Sequence, residues 1–367
     1  MPVTSSGSNR VARSKGARAP RGKNTLDAER LARELLRALR GKRSRPAFSR
    51  YLGYRSNVAQ RWETGQCWPT AARFFQICAR LRLDVPGGVG RFLRNEPEWL
   101  RAAQGAPALV VAALLAEVAG KTQLTHIAGQ TGYNRYSLGR WFNGSAHPKL
   151  PEFLRVLEAC SHRVPDFVAC FVDPASIPSL SERWRELCSS RELAYTHPIS
   201  HAVLRAHELE GYEKINTRLE QYLARRLAIS VEEVEQALSR LEATGQVKKA
   251  RRGWRVCRVE VVDTGADAAR ARALKLDWAK LAIRRLESGG AGHSGYNLFS
   301  ISRRDLARVR DVQLAYVREM QAIIAESKPS ECVGLYCALL VDLAVDEENA
   351  FAPPSPRAAQ ERPRVRG

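Results

Sequence analysis

The sequence lacks any apolar run long enough to cross a bilayer: the longest, Pro107 to Val118, stops well short of the roughly 20 residues a spanning helix needs. The opening Met1-Pro2-Val3-Thr4-Ser5-Ser6-Gly7-Ser8 has no apolar core of an export signal. A cytoplasmic protein without a membrane partner is therefore expected. Eight cysteines are present, but none forms a Cys-x-x-Cys pair and no histidine cluster follows them, which excludes the common zinc-binding patterns. Cys78 and Cys160 sit in apolar company, as reduced thiols packed as small hydrophobes do in a reducing compartment.

Catalytic patterns are missing too. There is no Gly-x-Ser-x-Gly elbow and no His-Glu-x-x-His. Gly87-Gly88-Val89-Gly90 lacks the Lys-Ser/Thr of a phosphate loop, and the Gly289-to-Gly295 stretch reads as a flexible loop. The histidines are scattered. His197, His201 and His207 come nearest to a cluster, and His201 with Asp305 could be imagined as ligands, although surface or capping roles fit them better. No catalytic residue, metal or cofactor is expected, and the chain reads as non-enzymatic.

Acidic residues are scarce relative to basic ones: 38 against 59 in 367 residues, a net charge of +21. Residues 1–100 carry 21 basic and 7 acidic residues, so two thirds of the excess lies there. Such a field attracts polyanions, of which nucleic acid is the commonest inside a cell; solubility alone or an anionic membrane surface is the plainer alternative. At 44% hydrophobic the chain folds, and its length allows two or three domains. Residues 1–23 read as a disordered basic arm, and residues 350–367 as a disordered Pro/Arg tail.

Between the tails the chain repeats itself. A shift of 79 positions lays Leu35-Leu36 on Leu114-Leu115, Gly41-Lys42 on Gly120-Lys121 and Gly53-Tyr54 on Gly132-Tyr133. It also lays Arg61-Trp62 on Arg140-Trp141, Gly65 on Gly144, Pro69 on Pro148 and Phe74 on Phe153. In the first copy, Leu31, Leu35, Leu36 and Leu39 mark an amphipathic helix over 26–39, stopped by Gly41. A short helix over 48–52 is broken by Gly53; another runs from Arg55 to Thr64, and Pro69 opens a fourth. Short helix, glycine turn, short helix is the order of a helix-turn-helix.

Phe48-Ser49, Gly53-Tyr54, Arg61-Trp62-Glu63, Gly65 and Pro69 together resemble the phage-repressor (Cro/C1-like) helix-turn-helix family. The resemblance implies that 55–64 is a recognition helix entering the major groove of double-stranded DNA. Base or phosphate contacts then fall to Arg55, Ser56, Asn57, Gln60 and Arg61, since Arg reads guanine and Asn or Gln reads adenine. Trp62 is expected in the core and Glu63 as a structural partner or cap. The second copy has Phe142 in place of the Glu and Gly139 in place of Gln60, and offers Asn134, Arg135, Tyr136, Ser137 and Arg140. Lys42, Arg43 and Arg45 are candidate phosphate contacts. Domains are placed at 24–100 and 101–180.

The second half has a different pattern. Helices over 201–209, 219–227 and 230–243, the last with a Ser230/Glu233 capping box, precede a hairpin over 246–256. Three helices and a two-stranded wing suggest a winged helix over 197–262. Glu232, Glu233, Glu235 and Glu242 on its third helix would repel phosphates, so packing or dimer formation fits it better. Lys248, Lys249, Arg251 and Arg252 on the wing could touch phosphates. Residues 268–347 read as helix, strand (296–301), helix and strand (332–345), an α+β regulatory or oligomerising lobe, with Leu274, Trp278, Leu281 and Leu286 turned inward on its first helix. Leu204 to Glu208, Ser230 to Gly245 and Tyr296 to Ser302 resemble a domain of unknown function from a family of bacterial proteins taken for regulators, none with an assigned chemistry.

The expected fold is mainly α with a smaller α+β part: tandem helix-turn-helix bundles, a winged helix and the C-terminal lobe. The expected function is a nucleoid-associated, sequence-specific transcriptional regulator, able to form a homodimer through its C-terminal half. A protein–protein adaptor and a nonspecific nucleic-acid binder stay open as alternatives.

Overall fold

A computed structural model of the chain describes residues 26–343, apart from 95–96, 104, 211, 213–218, 251–252, 258–261, 291, 328 and 342. The basic arm 1–23, the tail 350–367, and Arg251 and Arg252 lie outside the described residues. The architecture is mainly helical, with a single two-stranded sheet among the described residues.

The first half consists of two five-helix units joined by α6 (Glu98–Ala102). The first unit is α1 (Ala28–Arg40), α2 (Arg45–Tyr51), α3 (Val58–Glu63), α4 (Ala71–Arg80) and α5 (Val85–Leu93). The second is α7 (Pro107–Ala119), α8 (Leu124–Thr131), α9 (Arg135–Phe142), α10 (Leu150–Ser161) and α11 (Val164–Ala169). The 79-residue shift maps α1 onto α7 end to end and carries each later helix onto its counterpart. Caps set the boundaries: Asp27 accepts from the Arg30 amide at 3.0 Å to open α1, and Ser44 and Thr70 open α2 and α4 in the same way. The turns before α3 and α9 pass through Gly53 (φ +88°) and Gly132 (φ +74°), a left-handed conformation that costs glycine little.

One continuous apolar core, from Ala28 to Leu180, fills both units. Helices are exchanged across it: α1 packs on α10, and α4 on α7. The strand-like segments before α4 and α10 pair with each other. The Ala71 amide donates to the Pro148 carbonyl at 2.9 Å, and the Leu150 amide donates to the Pro69 carbonyl at 2.9 Å. Phe74, Phe75, Phe92, Phe153, Phe167 and Phe171 form an edge-to-face cluster beneath them.

Gly87-Gly88-Val89-Gly90 lies inside α5, opened by the Asp84 side chain on the Gly87 amide at 2.9 Å. Gly88 is there for space, because a Cβ on it would stand 2.7 Å from Cε1 of Phe171, itself hemmed in by the aromatic cluster. Gly88→Ala is therefore expected to destabilise the first half by about 1–3 kcal/mol. A thermal melt indistinguishable from that of the parent would contradict this.

Helix α12 (Ser181–Thr196) leads into the second half. There α13 (Ile199–Ala206), α14 (Leu219–Leu227) and α15 (Val231–Ala243) enclose a separate core with Val203, Leu204, Leu223, Val234, Leu238 and Leu241. The Ser230/Glu233 capping box opens α15, with reciprocal bonds of 3.1 and 2.8 Å. The hairpin β1 (Val247–Ala250) and β2 (Gly253–Val256) is antiparallel, pairing Val247 with Val256 and Lys249 with Trp254.

Two long helices, α16 (Ala268–Glu287) and α17 (Arg303–Glu326), follow. The strands expected over 296–301 and 332–345 are not formed: their described residues belong to no helix or strand. A strand needs a partner edge for its amides and carbonyls, and neither segment finds one. Tyr296 is 96% exposed and Leu298 78%. The inward face of α16 is also narrower than expected, since Leu274 is buried, Trp278 and Leu281 are half-buried, and Leu286 is exposed.

Candidate nucleic-acid interface

The residues singled out from sequence lie around α3 and α9. On the first unit the helix begins later than expected, at Val58 rather than Arg55, because Asn57 is its N-cap. Oδ1 of Asn57 accepts from the Gln60 amide at 3.3 Å, and its Nδ2 donates to Oε1 of Gln60 at 3.0 Å. Arg55 and Ser56 are thus exposed on the turn, Gln60 and Arg61 are exposed on the helix, and Asn57 is half-buried and committed to the cap. Ser49, on α2, ties the pair of helices together. Its Oγ accepts from the Ala59 amide at 3.0 Å and donates to the Arg45 carbonyl at 2.9 Å. The opposite face of α3 is anchored by Trp62, buried and edge-on to Tyr54 at 5.7 Å between centroids.

Glu63 has the structural role expected of it. Its carboxylate is almost fully buried and accepts from Nε of Arg40 at 2.6 Å and Nε of Arg45 at 2.9 Å, with Arg37 at 3.8 Å. Burial alone would raise its pKa, but the hydrogen bonds and charges of Arg40 and Arg45 outweigh this and hold it below the usual glutamate value. Arg45 is therefore partly committed to Glu63, whereas Lys42 and Arg43 are exposed. Arg43 lies over the Tyr51 ring at 5.0 Å and Arg80 over the same ring at 5.5 Å, while the Tyr51 hydroxyl donates to the Arg80 carbonyl at 2.6 Å. Nothing in the sequence marked Tyr51 or Arg80 as neighbours of the site, because they meet across 29 residues of chain.

On the second unit α9 starts two positions earlier in the repeat register, with Asn134 as N-cap accepting from the Tyr136 amide at 2.9 Å. Gly139 is accommodated within it. Asn134, Arg135, Tyr136, Ser137 and Arg140 are all exposed; Arg135 stacks on Tyr136 at 4.9 Å, and Trp141 is buried against Tyr133 at 5.1 Å. The ion cluster is absent here. Glu63, Arg37, Arg40 and Arg45 are replaced in the register by Phe142, Ala116, Ala119 and Leu124.

In the second half, Lys248 and Lys249 are exposed on β1, with Lys249 5.9 Å from the centre of the Trp254 ring. Glu232, Glu233, Glu235 and Glu242 are exposed on α15. His201 is half-buried on α13, and Asp305 serves local structure, pairing with Ser302 and Arg308 at 2.9 Å each. Among the described residues, no three His, Cys, Asp or Glu side chains converge as metal ligands would. Among them, too, no single helix is long and apolar enough to cross a membrane.

The two halves meet at Asp263, which sequence reading missed because its partners are 72 to 169 residues away. Its carboxylate accepts from Arg94 at 2.6 Å and also from Arg163, and its carbonyl accepts from Arg191 at 2.8 Å.

Residues 182–340 match the family model described as a domain of unknown function (DUF4423), and this stretch contains all three fragments that carried the resemblance of the second half. No curated protein and no solved structure matches the chain.

Proposed function

We propose that the protein is a sequence-specific transcriptional regulator that binds double-stranded DNA, with α2–α3 and α8–α9 acting as two helix-turn-helix units. The observation that carries this reading is the pairing of Arg61 with Arg140. They are exposed at equivalent positions on two helices whose opposite faces are pinned by Trp62 and Trp141. A rigid helix with one buried aromatic anchor and one exposed arginine is suited to reading guanine in a major groove. Arg55, Ser56 and Gln60 on the first unit, and Asn134, Arg135, Tyr136 and Ser137 on the second, supply the remaining contacts. Lys42 and Arg43 serve the phosphates. Asn57 contributes mainly by fixing where α3 starts.

The helices α13–α15 with the β1–β2 hairpin act as a winged helix used for packing, since the exposed glutamates of α15 oppose a phosphate backbone. The α16–α17 lobe is the regulatory part; Leu276, Ile283, Val312 and Ile323 are exposed on it. The protein is a non-enzymatic, nucleoid-associated factor of the cytoplasm.

The test is a selection on random duplex DNA at near-physiological salt, with the wild type beside Arg61→Ala/Arg140→Ala. An enriched motif that the double variant loses is expected, each guanine contact being worth about 1–3 kcal/mol. Salt-sensitive binding without a motif would replace the proposal with nonspecific binding, and no binding at all would favour the adaptor.

A further inference from the structure

The contacts between the two units are reciprocal. Under the 79-residue shift Ala71 becomes Leu150 and Pro69 becomes Pro148, so the bonds Ala71 to Pro148 and Leu150 to Pro69 exchange with each other. Thr70 pairs with Lys149, its own counterpart. The packing of α1 on α10 likewise exchanges with that of α7 on α4. Contacts in which i touches j while the counterpart of j touches the counterpart of i are those of a twofold axis. A translation along the chain would not produce them. The axis passes between Thr70 and Lys149.

We infer that the first half is a single-chain pseudo-dimer that reads two non-identical half-sites in inverted orientation, one chain per duplex. This rests on the DNA-reading function proposed above. A twofold presents α3 and α9 to a duplex with opposite polarity, so the half-sites run head to head and not in tandem. The two halves differ because the helices differ. In the register Arg55 faces Asn134, Ser56 faces Arg135, Asn57 faces Tyr136, and only Arg61 and Arg140 are alike. The half-sites therefore share the base read by that arginine and diverge beside it.

The aromatic cluster on the axis favours pairing of unlike units. Gly88 and Phe167 are counterparts, and Phe167 packs on Phe92 at 5.6 Å while Phe171 occupies the space beside Gly88. Two copies of the first unit would bring Gly88 to both sides and leave a void. Two copies of the second would bring Phe167 to both sides and overfill the same space. Exchange between chains to make like pairs is disfavoured on both counts.

The experiment is a selection on random 40-base-pair duplexes with the full chain, followed by native mass spectrometry of the enriched duplex and by Arg61→Ala and Arg140→Ala tested singly. Expected are two unlike half-sites in inverted orientation and one chain per duplex. Arg61→Ala should relax one half and Arg140→Ala the other, each with about a 5- to 150-fold loss of discrimination at its own half. Half-sites in direct orientation, a single half-site, or two chains per duplex with both variants weakening the same half would overturn the inference while leaving the DNA-reading function in place. No enriched motif at all would instead remove the function on which it rests.

Discussion

Glu63→Ala is expected to destabilise the first half by about 2–3 kcal/mol, a fall of roughly 5–10 °C in its calorimetric transition. Removing this carboxylate leaves the Arg40 guanidinium, 17% exposed, facing a buried hole. The loss stays below the 3–5 kcal/mol of a fully buried pair because Arg45, at 42% exposure, keeps much of its hydration. The second unit supplies a control. At the same four positions it carries Ala116, Ala119, Leu124 and Phe142, an apolar solution to the same joint. The triple substitution Arg40→Ala/Arg45→Leu/Glu63→Phe is therefore expected to recover most of the lost stability, to within about 1.5 kcal/mol of wild type. If the triple variant were as unstable as Glu63→Ala, the ion cluster would not be the source of the effect. The pH dependence has a definite sign. Since the folded pKa of Glu63 is lowered, its contribution is complete above the ordinary glutamate value of about 4.3 and fades as the pH falls through the lower folded value. The gap between wild type and Glu63→Ala should accordingly close in acid.

The repeat was legible because it rests on residues whose roles are hard to substitute. Gly53 and Gly132 take a left-handed turn, Trp62 and Trp141 fill equivalent pockets, and Pro69 and Pro148 flank the paired segments at the axis. Position and residue type together carry that information. The start of α3 was not legible, since Arg55, Ser56 and Asn57 are all compatible with a first turn; the competition is decided by the Asn57 side chain bonding to the Gln60 amide. Helix α5 was not read from the sequence: it carries three glycines, and it forms with Val89 and Phe92 buried, Phe92 against the second unit's Phe167. Tertiary packing overrides weak helix propensity there. The opposite error affects 296–301 and 332–345. Tyr, Leu, Phe, Val and Ile give both segments strand-like composition, but composition does not create a partner edge, and the described residues remain unpaired. The exposed residues of the candidate interface were legible by chemistry, whereas the twofold that relates them was not, because reciprocal contacts are a property of packing and not of either copy.

Asp263→Ala is expected to loosen the joint between the halves, costing about 2–3 kcal/mol and separating their thermal transitions. One short segment there engages three elements. Nε and Nη2 of Arg94, just past α5, donate to Oδ2 at 3.1 and 2.6 Å, and Arg163, at the start of α11, donates to the same oxygen. Arg191 of α12 donates to the Asp263 carbonyl at 2.8 Å and to Asp166 at 2.6 Å, while the Tyr195 hydroxyl donates to the Thr264 carbonyl at 2.7 Å. Burial works against the charge on Asp263, but the hydrogen bonds from Arg94 and the Gly265 amide, with the charge of Arg163, hold its pKa below the usual aspartate value. Its stabilisation is thus present above pH of about 3.9 and lost as the pH falls through the lower folded value. Asp166 behaves in the opposite sense: burial raises its pKa, the charge of Arg191 offsets this only in part, and its neighbour Asp263 adds to the rise. Protonating Asp166 therefore favours the folded state and partly compensates the loss of Asp263 in acid. The separation should accordingly be clearest at neutral pH, where Asp263→Ala is expected to show two calorimetric transitions and faster hydrogen exchange at the C-terminal end of α5 and in α11. Unchanged exchange at both places would show that the joint is held by other contacts. If exchange does accelerate, a change in the second half can reach both five-helix units at once, because Arg94 belongs to one and Arg163 to the other.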